Sequence, residues 1–220
     1  MDNQPLNIIM LGRSGSGKGT QAKFLVDAFH LEYIGTGSSL RTFAERDNTA
    51  AHNLKVMLAA GQLVPSWLAF FVWMERLTYA DVHKGVLFDG SPRKLEEAKI
   101  LNEVFEWFGR KKVKVILIDI SREEAQKRLM KRRICSKCGR GAYLDEEHAD
   151  ATQCRYCYGE LTVRMEDNPE GIKTRLNWFD DEVMQSIDYY KTNGKLIVVN
   201  GEQSPDEVQK EILNKLYGSL

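Results

Sequence analysis

Gly12-Arg13-Ser14-Gly15-Ser16-Gly17-Lys18-Gly19-Thr20 decides how this chain is read. It follows the apolar run Leu6–Leu11, which reads as a buried strand. It precedes Gly17–His30, where Ala22, Leu25, Ala28 and Phe29 recur at helical spacing. Strand, glycines, lysine and helix in this order are the context of a phosphate-binding loop. Glycines let consecutive backbone N–H groups curl around phosphate oxygens, and the helix N-terminus adds its positive dipole end. Lys18 supplies a point charge that can follow a transferring phosphoryl group. The general pattern places Ser or Thr directly after the lysine. Here Gly19 stands there and Thr20 comes one later, which implies that Mg²⁺ is held mainly by phosphates and water.

Outward from the loop, Val86–Phe88, Val113–Ile118 and Leu196–Val199 are further strand candidates. Ser121…Glu124 reads as a capping box opening a helix toward Met130. Ser204-Pro205 opens a helix with Val208, Ile212, Leu213 and Leu216 on one face. Strands separated by helical patterns predict an α/β fold, a parallel sheet with helices on both faces. Two stretches break the rhythm and read as inserts: residues 35–66, mostly short helices, and residues 133–163, which lack helical periodicity. Trp67, Phe70, Phe71 and Met74 lie at helical spacing and are expected in the core, as are Trp107 and Trp178.

The chain has 220 residues, with 31 Lys+Arg against 31 Asp+Glu, and is 43% hydrophobic. That length suits one domain with small inserts. The zero net charge argues against a duplex nucleic acid partner, which leaves a basic footprint. No apolar run approaches the roughly 18 residues of a membrane span. Met1-Asp2-Asn3-Gln4-Pro5 lacks a basic start and an apolar core, so a cytosolic setting is expected. The cysteines then need a reading other than disulfides. Cys135-Ser-Lys-Cys138 and Cys154-Arg-Tyr-Cys157 form two knuckles with the spacing of a four-cysteine zinc site. Gly139 and Gly159 are expected to supply the tight turns. Four protein ligands leave no open position, so the metal is expected to be structural. His30, His52, His83 and His148 show no partner spacing and are not expected to bind metal.

The loop with its continuation Gly19-Thr20-Gln21-Ala22 resembles the adenylate kinase family, the nucleoside monophosphate kinases. Further segments resemble that family in order along the chain: Thr36-Gly37…Leu40-Arg41, Gly61-Gln62-Leu63-Val64, Asp89-Gly90-Ser91-Pro92-Arg93, Arg128 with Lys131-Arg132-Arg133, Arg164-x-Glu166-Asp167 with Arg175, and Asn200-Gly201. The resemblance implies a P-loop NTPase-type five-stranded parallel sheet with a helical NMP-binding insert and a small zinc-binding lid. The core would be residues 1–34, 65–130 and 168–220, the insert 35–64 and the lid 131–167. The reaction implied is reversible in-line transfer between Mg·ATP and AMP, giving two ADP, under a closing lid. Lys18, Arg93, Arg132, Arg164 and Arg175 would stabilise the transferring group, and Asp89 would orient waters around Mg²⁺. ATP would lie against Gly12, Gly15, Ser16, Gly17, Lys18, Gly19, Thr20, Arg128, Arg132, Ala142, Tyr143 and Gln203. AMP would meet Thr36, Arg41, Gln62, Leu63, Val64, Gly90, Arg93, Glu97, Arg164 and Arg175. The resemblance leads us to expect a monomer whose partners are these nucleotides, with no membrane or nucleic acid.

This chain departs from the family's pattern at several positions. Ser14 replaces a Pro, Ser38 an Asp, Ser91 a Phe and Lys131 a Gly. Glu97 stands where the family usually has a Gln that reads the adenine of the monophosphate. A carboxylate only accepts, which would leave adenine N1 without a donor but could take the N–H groups of guanine. AMP is the expected acceptor, with GMP or relaxed specificity as the alternative. A non-catalytic nucleotide sensor and a zinc-ribbon nucleic-acid-binding NTPase are rivals from other classes.

Overall fold

A computed structural model describes residues 4–143 and 151–218. His148 lies outside them. The first part of the chain runs β1 (Asn7–Leu11), α1 (Lys18–Phe29), β2 (Glu32–Gly35), α2 (Thr36–Ala44), α3 (Thr49–Ala59), α4 (Ser66–Thr78), β3 (Val86–Asp89), α5 (Leu95–Trp107) and β4 (Val113–Asp119). It continues through α6 (Arg122–Lys131), β5 (Arg132–Cys135), β6 (Gly141–Tyr143), β7 (Leu161–Thr162), α7 (Pro169–Trp178), a π-helical turn (Phe179–Val183), α8 (Met184–Thr192), β8 (Leu196–Asn200) and α9 (Pro205–Tyr217).

Five strands form one parallel sheet in the order β2-β3-β1-β4-β8. Its central strands are buried on both faces, which is why they appear in the sequence as unbroken apolar runs. β2 pairs with β3 alone and buries just Ile34 and Gly35, so its four residues carry no apolar run. Its existence was implied by the resemblance, not by periodicity. The chain goes to β2 and β3 on one side of β1, then crosses to β4 on the other. Open α/β sheets bind ligands at such a switch, beyond the carboxyl ends of the strands. The glycine loop after β1 and Asp89 at the end of β3 both lie there.

One face of the sheet is covered by α4, α5 and α8, with Trp73, Phe88, Phe105, Phe179 and Tyr190 in one cluster. Phe88 meets both Trp73 and Phe105 edge-on at 5.5 Å. α1 and α9 cover the other face through Ala22, Leu25, Val208, Ile212 and Leu216. A third cluster joins Leu40, Phe43, Leu54 and Val64 to Leu68, Ala69 and Val72 of α4. α4 therefore serves two cores at once. Phe70, Trp73 and Met74 face the sheet while Leu68, Ala69 and Val72 face α2 and α3. Trp67 and Phe71 occupy the remaining arc and are exposed, contrary to their predicted burial. Trp107, at the last turn of α5, is 87% exposed, again against expectation. Among the described residues no helix is long and apolar enough to cross a membrane.

Helix caps differ from the sequence reading in one place. Ser121 caps α6 by accepting from Glu124 N, but the Glu124 carboxylate accepts from Arg128 Nε at 2.6 Å instead of returning to the cap. Glu202 takes its place, accepting from both Ser121 N and Ser121 Oγ at 2.7 Å. The reciprocal box forms at Ser204 and Glu207, opening α9.

The turn after α3 docks onto α7. Gly61 has φ +66°, and Trp178 Nε1 donates to its carbonyl at 2.9 Å. A Cβ there would lie 2.6 Å from Gly171 O. Gly61→Ala is expected to cost at least about 1–2 kcal/mol from the left-handed backbone alone. The overlap adds to this, so a thermal melt should show Tm lowered by at least about 2 °C.

Candidate active site

The loop predicted to cradle phosphate takes the required shape. Gly12, Gly15 and Gly17 have φ of +144°, +88° and +92°. Gly12 also allows close packing, since a Cβ would lie 2.4 Å from Ile118 O. Ser16 is buried within the loop, and α1 begins at Lys18 behind it. Gly19 and Thr20 stand exposed on the first turn of α1. Lys18 Nζ donates to Gly12 O and Arg13 O, both at 2.7 Å. Loss of hydration lowers its pKa to about 8, against the opposing pull of Asp89 and with help from Arg93, Arg175 and Arg132. The ammonium is thus parked on backbone carbonyls at the spot where phosphate oxygens would fit.

Arg13 was not singled out in the sequence. Its guanidinium reaches Asp180 Oδ1 at 2.6 Å and Ile120 O at 3.2 Å, and it stacks on Phe179 at 4.4 Å. The loop is thereby tied to the π-helical turn.

Two carboxylates organise the predicted arginines. Asp167, its side chain 1% exposed, accepts from Arg132 Nε and Nη2 at 2.8 and 2.6 Å and from Arg175 Nη1 at 2.7 Å. Glu166 pairs with Arg41 at 3.4 Å and Arg164 at 3.9 Å. Burial lowers the pKa of Arg175 and Arg164 to about 10 each, with Arg132 the next cause for Arg175 and Arg41 for Arg164. Burial also lowers Arg93, which lies over the Trp178 ring at 5.1 Å. These guanidinium groups and Lys18 act on one another, so the cluster is one site.

On the acceptor side, Gly90 (φ +87°) lies between the Arg93 guanidinium and the start of α2. A Cβ on Gly90 would lie 3.5 Å from Arg93 Nη2 and 3.6 Å from Gly37 N. Arg41 reaches back to the same turn, 3.6 Å from a Cβ built on Gly37. Thr36 is 1% exposed and its Oγ1 has no partner among the described residues. A helix N-terminus, two guanidinium groups and an orphaned hydroxyl make a ready anion pocket. Val64 belongs to the third core cluster, while Gln62 and Leu63 line an open cleft with Lys94, Thr174 and Trp178. Glu97 is 3% exposed, and its Oε2 accepts from Arg93 N at 2.8 Å. Desolvation pushes its carboxyl pKa up, partly offset by that Arg93 N–H.

On the other side of the glycine loop, Arg128 is held by Glu124 and by Gly201 O at 2.9 Å. Its Cβ lies 3.6 Å from a Cβ built on Gly15. Ala142 and Tyr143 lie on β6, and Tyr143 Oη donates to Gly15 O at 3.3 Å. Gln203 Nε2 donates to Asn200 O at 3.2 Å and to Glu211 Oε2 at 2.6 Å.

The four cysteines sit in the small antiparallel sheet β6-β5-β7 and the turns around it. All four Sγ atoms lie within 4.8 Å of one another; Cys135–Cys157 are 3.4 Å apart and Cys138–Cys154 3.8 Å. Tetrahedral zinc with Zn–S of about 2.3 Å requires S···S near 3.8 Å, so the set fits the ion. The two knuckles share one geometry: Gly139 N donates to Cys135 O and Tyr158 N to Cys154 O, both at 2.9 Å. The left-handed residue is Gly139 in the first and Tyr158 (φ +57°) in the second. Gly159, predicted to supply that turn, is small for another reason: a Cβ would lie 2.9 Å from Cys135 Sγ. Backbone N–H groups, Cys138 first for Cys135 and Tyr156 first for Cys154, hold those two thiol pKa values down.

A family model described as adenylate kinase matches residues 10–195. An adenylate kinase of Caldicellulosiruptor bescii is 34% identical over 96% of this chain and 99% of its own. That of Methanocella arvoryzae is 35% identical over 94% and 96%, and that of Haloarcula marismortui 36% over 93% and 94%.

Two measurements check the site. Metal analysis should find one zinc per chain, and a chelator or Cys154→Ser should add an early melting step of the small sheet while the five-stranded core still melts late. For Lys18, burial favours the neutral amine from about pH 8 upward, below its ordinary 10.5. A triphosphate restores the charge, so calorimetry at pH 9 in buffers of different ionisation enthalpy should show proton uptake on binding. This uptake should be absent near pH 7 and in Lys18→Met.

Proposed function

The chain belongs to the adenylate kinase family, and from that premise we propose that it transfers the γ-phosphoryl group of Mg·ATP to AMP, reversibly, giving two ADP. The observation that carries this reading is the convergence of Lys18, Arg93, Arg132 and Arg175 beyond the ends of β1 and β3. Phosphoryl transfer needs positioning and fixed positive charge around the equatorial oxygens, and little covalent chemistry.

In this reading ATP phosphates lie in the glycine loop, replacing the carbonyls that Lys18 now contacts. The α2 N-terminus, Arg41 and Arg93 bind the monophosphate. Arg132, Arg164 and Arg175 close on the transferring group from the side of Asp167 and Glu166. The Asp89 carboxylate, beside Gly19 on the first turn of α1, suits Mg²⁺, a hard ion that keeps most of its waters. Bound there, Mg²⁺ would neutralise charge developing between the β- and γ-phosphates. We assign residues 35–64 to an acceptor arm and 131–167 to a zinc-pinned lid. The Tyr143–Gly15 bond supports a lid that reaches the glycine loop and excludes water. We read the chain as acting on ATP, AMP and ADP as a cytosolic monomer, a setting consistent with four cysteines that form no disulfide.

The surroundings of Glu97 support the AMP reading. Its Oε2 is already engaged by Arg93 N, so a guanine edge would have to share that oxygen. The raised carboxyl pKa instead lets Oε1 carry a proton and donate to adenine N1. As pH rises through the folded pKa that donor is lost, so KM for AMP should climb. Glu97→Gln should remove the climb and, at alkaline pH, lower KM for AMP by an amount worth about 1–3 kcal/mol. The decisive assay compares AMP, GMP, CMP and UMP as acceptors with Mg·ATP. Turnover of AMP is expected. Use of GMP with AMP ignored would reassign the acceptor, and no turnover with any would overturn the kinase reading.

A further inference from the structure

We propose that Tyr33 is a positioning residue for this phosphoryl transfer, holding the Asp89 carboxylate in the orientation that faces the metal's water shell. The inference rests on the reaction proposed above. Its basis is the register of the sheet edge: Gly35 of β2 pairs opposite Asp89 of β3, and Tyr33 lies two residues before Gly35 on the same face. The Tyr33 ring leans over Gly35. A Cβ on Gly35 would lie 2.6 Å from Tyr33 Cε1 and 2.7 Å from its Oη, so the glycine makes the path. Along that path the hydroxyl reaches Asp89 and donates to Oδ2 at 2.9 Å.

Among the described residues no other hydrogen bond reaches the Asp89 carboxylate. Ser38, the nearby hydroxyl on α2, donates to Gly35 O at 2.7 Å instead. A carboxylate without a partner turns about its last torsion, which is broad. With Oδ2 tethered, Oδ1 is left in a fixed direction for the ion's waters. The same Oδ2 faces the first turn of α1, 3.9 Å from a Cβ built on Gly19, so the tether lies beside the glycine loop. Burial and the neighbouring carboxylate push the Tyr33 phenol above its ordinary pKa, and it remains the donor throughout the working range. Tyr33 is 43% exposed and belongs to none of the core clusters, so removing its hydroxyl is expected to leave the fold intact.

The test is Tyr33→Phe, read by calorimetric ATP binding with Mg²⁺ and with a chelator, and by steady-state kinetics. Loss of one hydrogen bond to a charged group predicts Mg·ATP affinity lowered about tenfold and a higher Mg²⁺ half-saturation. Metal-free ATP affinity and KM for AMP should stay unchanged. In an Asp89→Asn background, Tyr33→Phe should add nothing. Equal weakening with and without Mg²⁺, or no change in either, would overturn the proposal. Should the wild type transfer no phosphoryl group, the reaction reading falls, while the metal-linked binding comparison still decides the role of Tyr33.

Discussion

The constraint on which the structure turns is mutual repulsion among buried cations. An ammonium and several guanidinium groups share one cleft, where burial lowers the pKa of Lys18, Arg164 and Arg175 and nearby guanidinium groups lower it further. Without counter-charge they would splay into solvent. Asp167 and Glu166, adjacent in sequence, supply it. Asp167 clasps Arg132 from the end of α6 and Arg175 from α7, while Glu166 faces Arg41 and Arg164. A buried carboxylate shared by two guanidinium groups holds geometry firmly, whatever its net contribution to stability. The cations are thus set in place before any phosphate arrives, so little reorganisation is left for the reaction itself.

Much of this was legible in the sequence because it depends on local chemistry. The glycine loop, the central strands and the cysteine knuckles each follow from short-range rules on φ, burial and ligand spacing. What escaped depends on neighbours far along the chain. β2 owes its existence to pairing with β3, not to an apolar run of its own. Trp67 and Phe71 have helical spacing, but α4 packs against two cores and leaves them on its third side. The Glu124 carboxylate is drawn from the cap by Arg128, and Glu202, brought from the β8–α9 loop, replaces it. Asp167 was visible as part of a motif, but its role as organiser needed the geometry.

The two ends of the site are built on different principles. The acceptor side is part of the continuous packing, because α2 and α3 share their core with α4. Among the described residues the small sheet β6-β5-β7 shows no such core, and four cysteine sulfur atoms gather beside it at tetrahedral spacing. Its matched knuckles give it internal order independent of the main sheet, as a small unit with few apolar residues requires.

The π-helical turn at Phe179–Val183 has a consequence for chain phase. Around its start, Trp178 bonds the turn after α3 and lies under Arg93, and Asp180 grips Arg13, while Phe179 between them packs into the core. Residues at its end and after it, Val183, Ile187 and Tyr190, serve the core. A regular α turn places successive residues about 100° apart, and the wider π turn inserts one extra residue between the two halves. Removing a residue there would swing Ile187 and Tyr190 out of the sheet-facing layer or Trp178 and Asp180 off the loops they hold. The irregularity is a phase shifter: it lets one helix answer to two masters, each reading its own face.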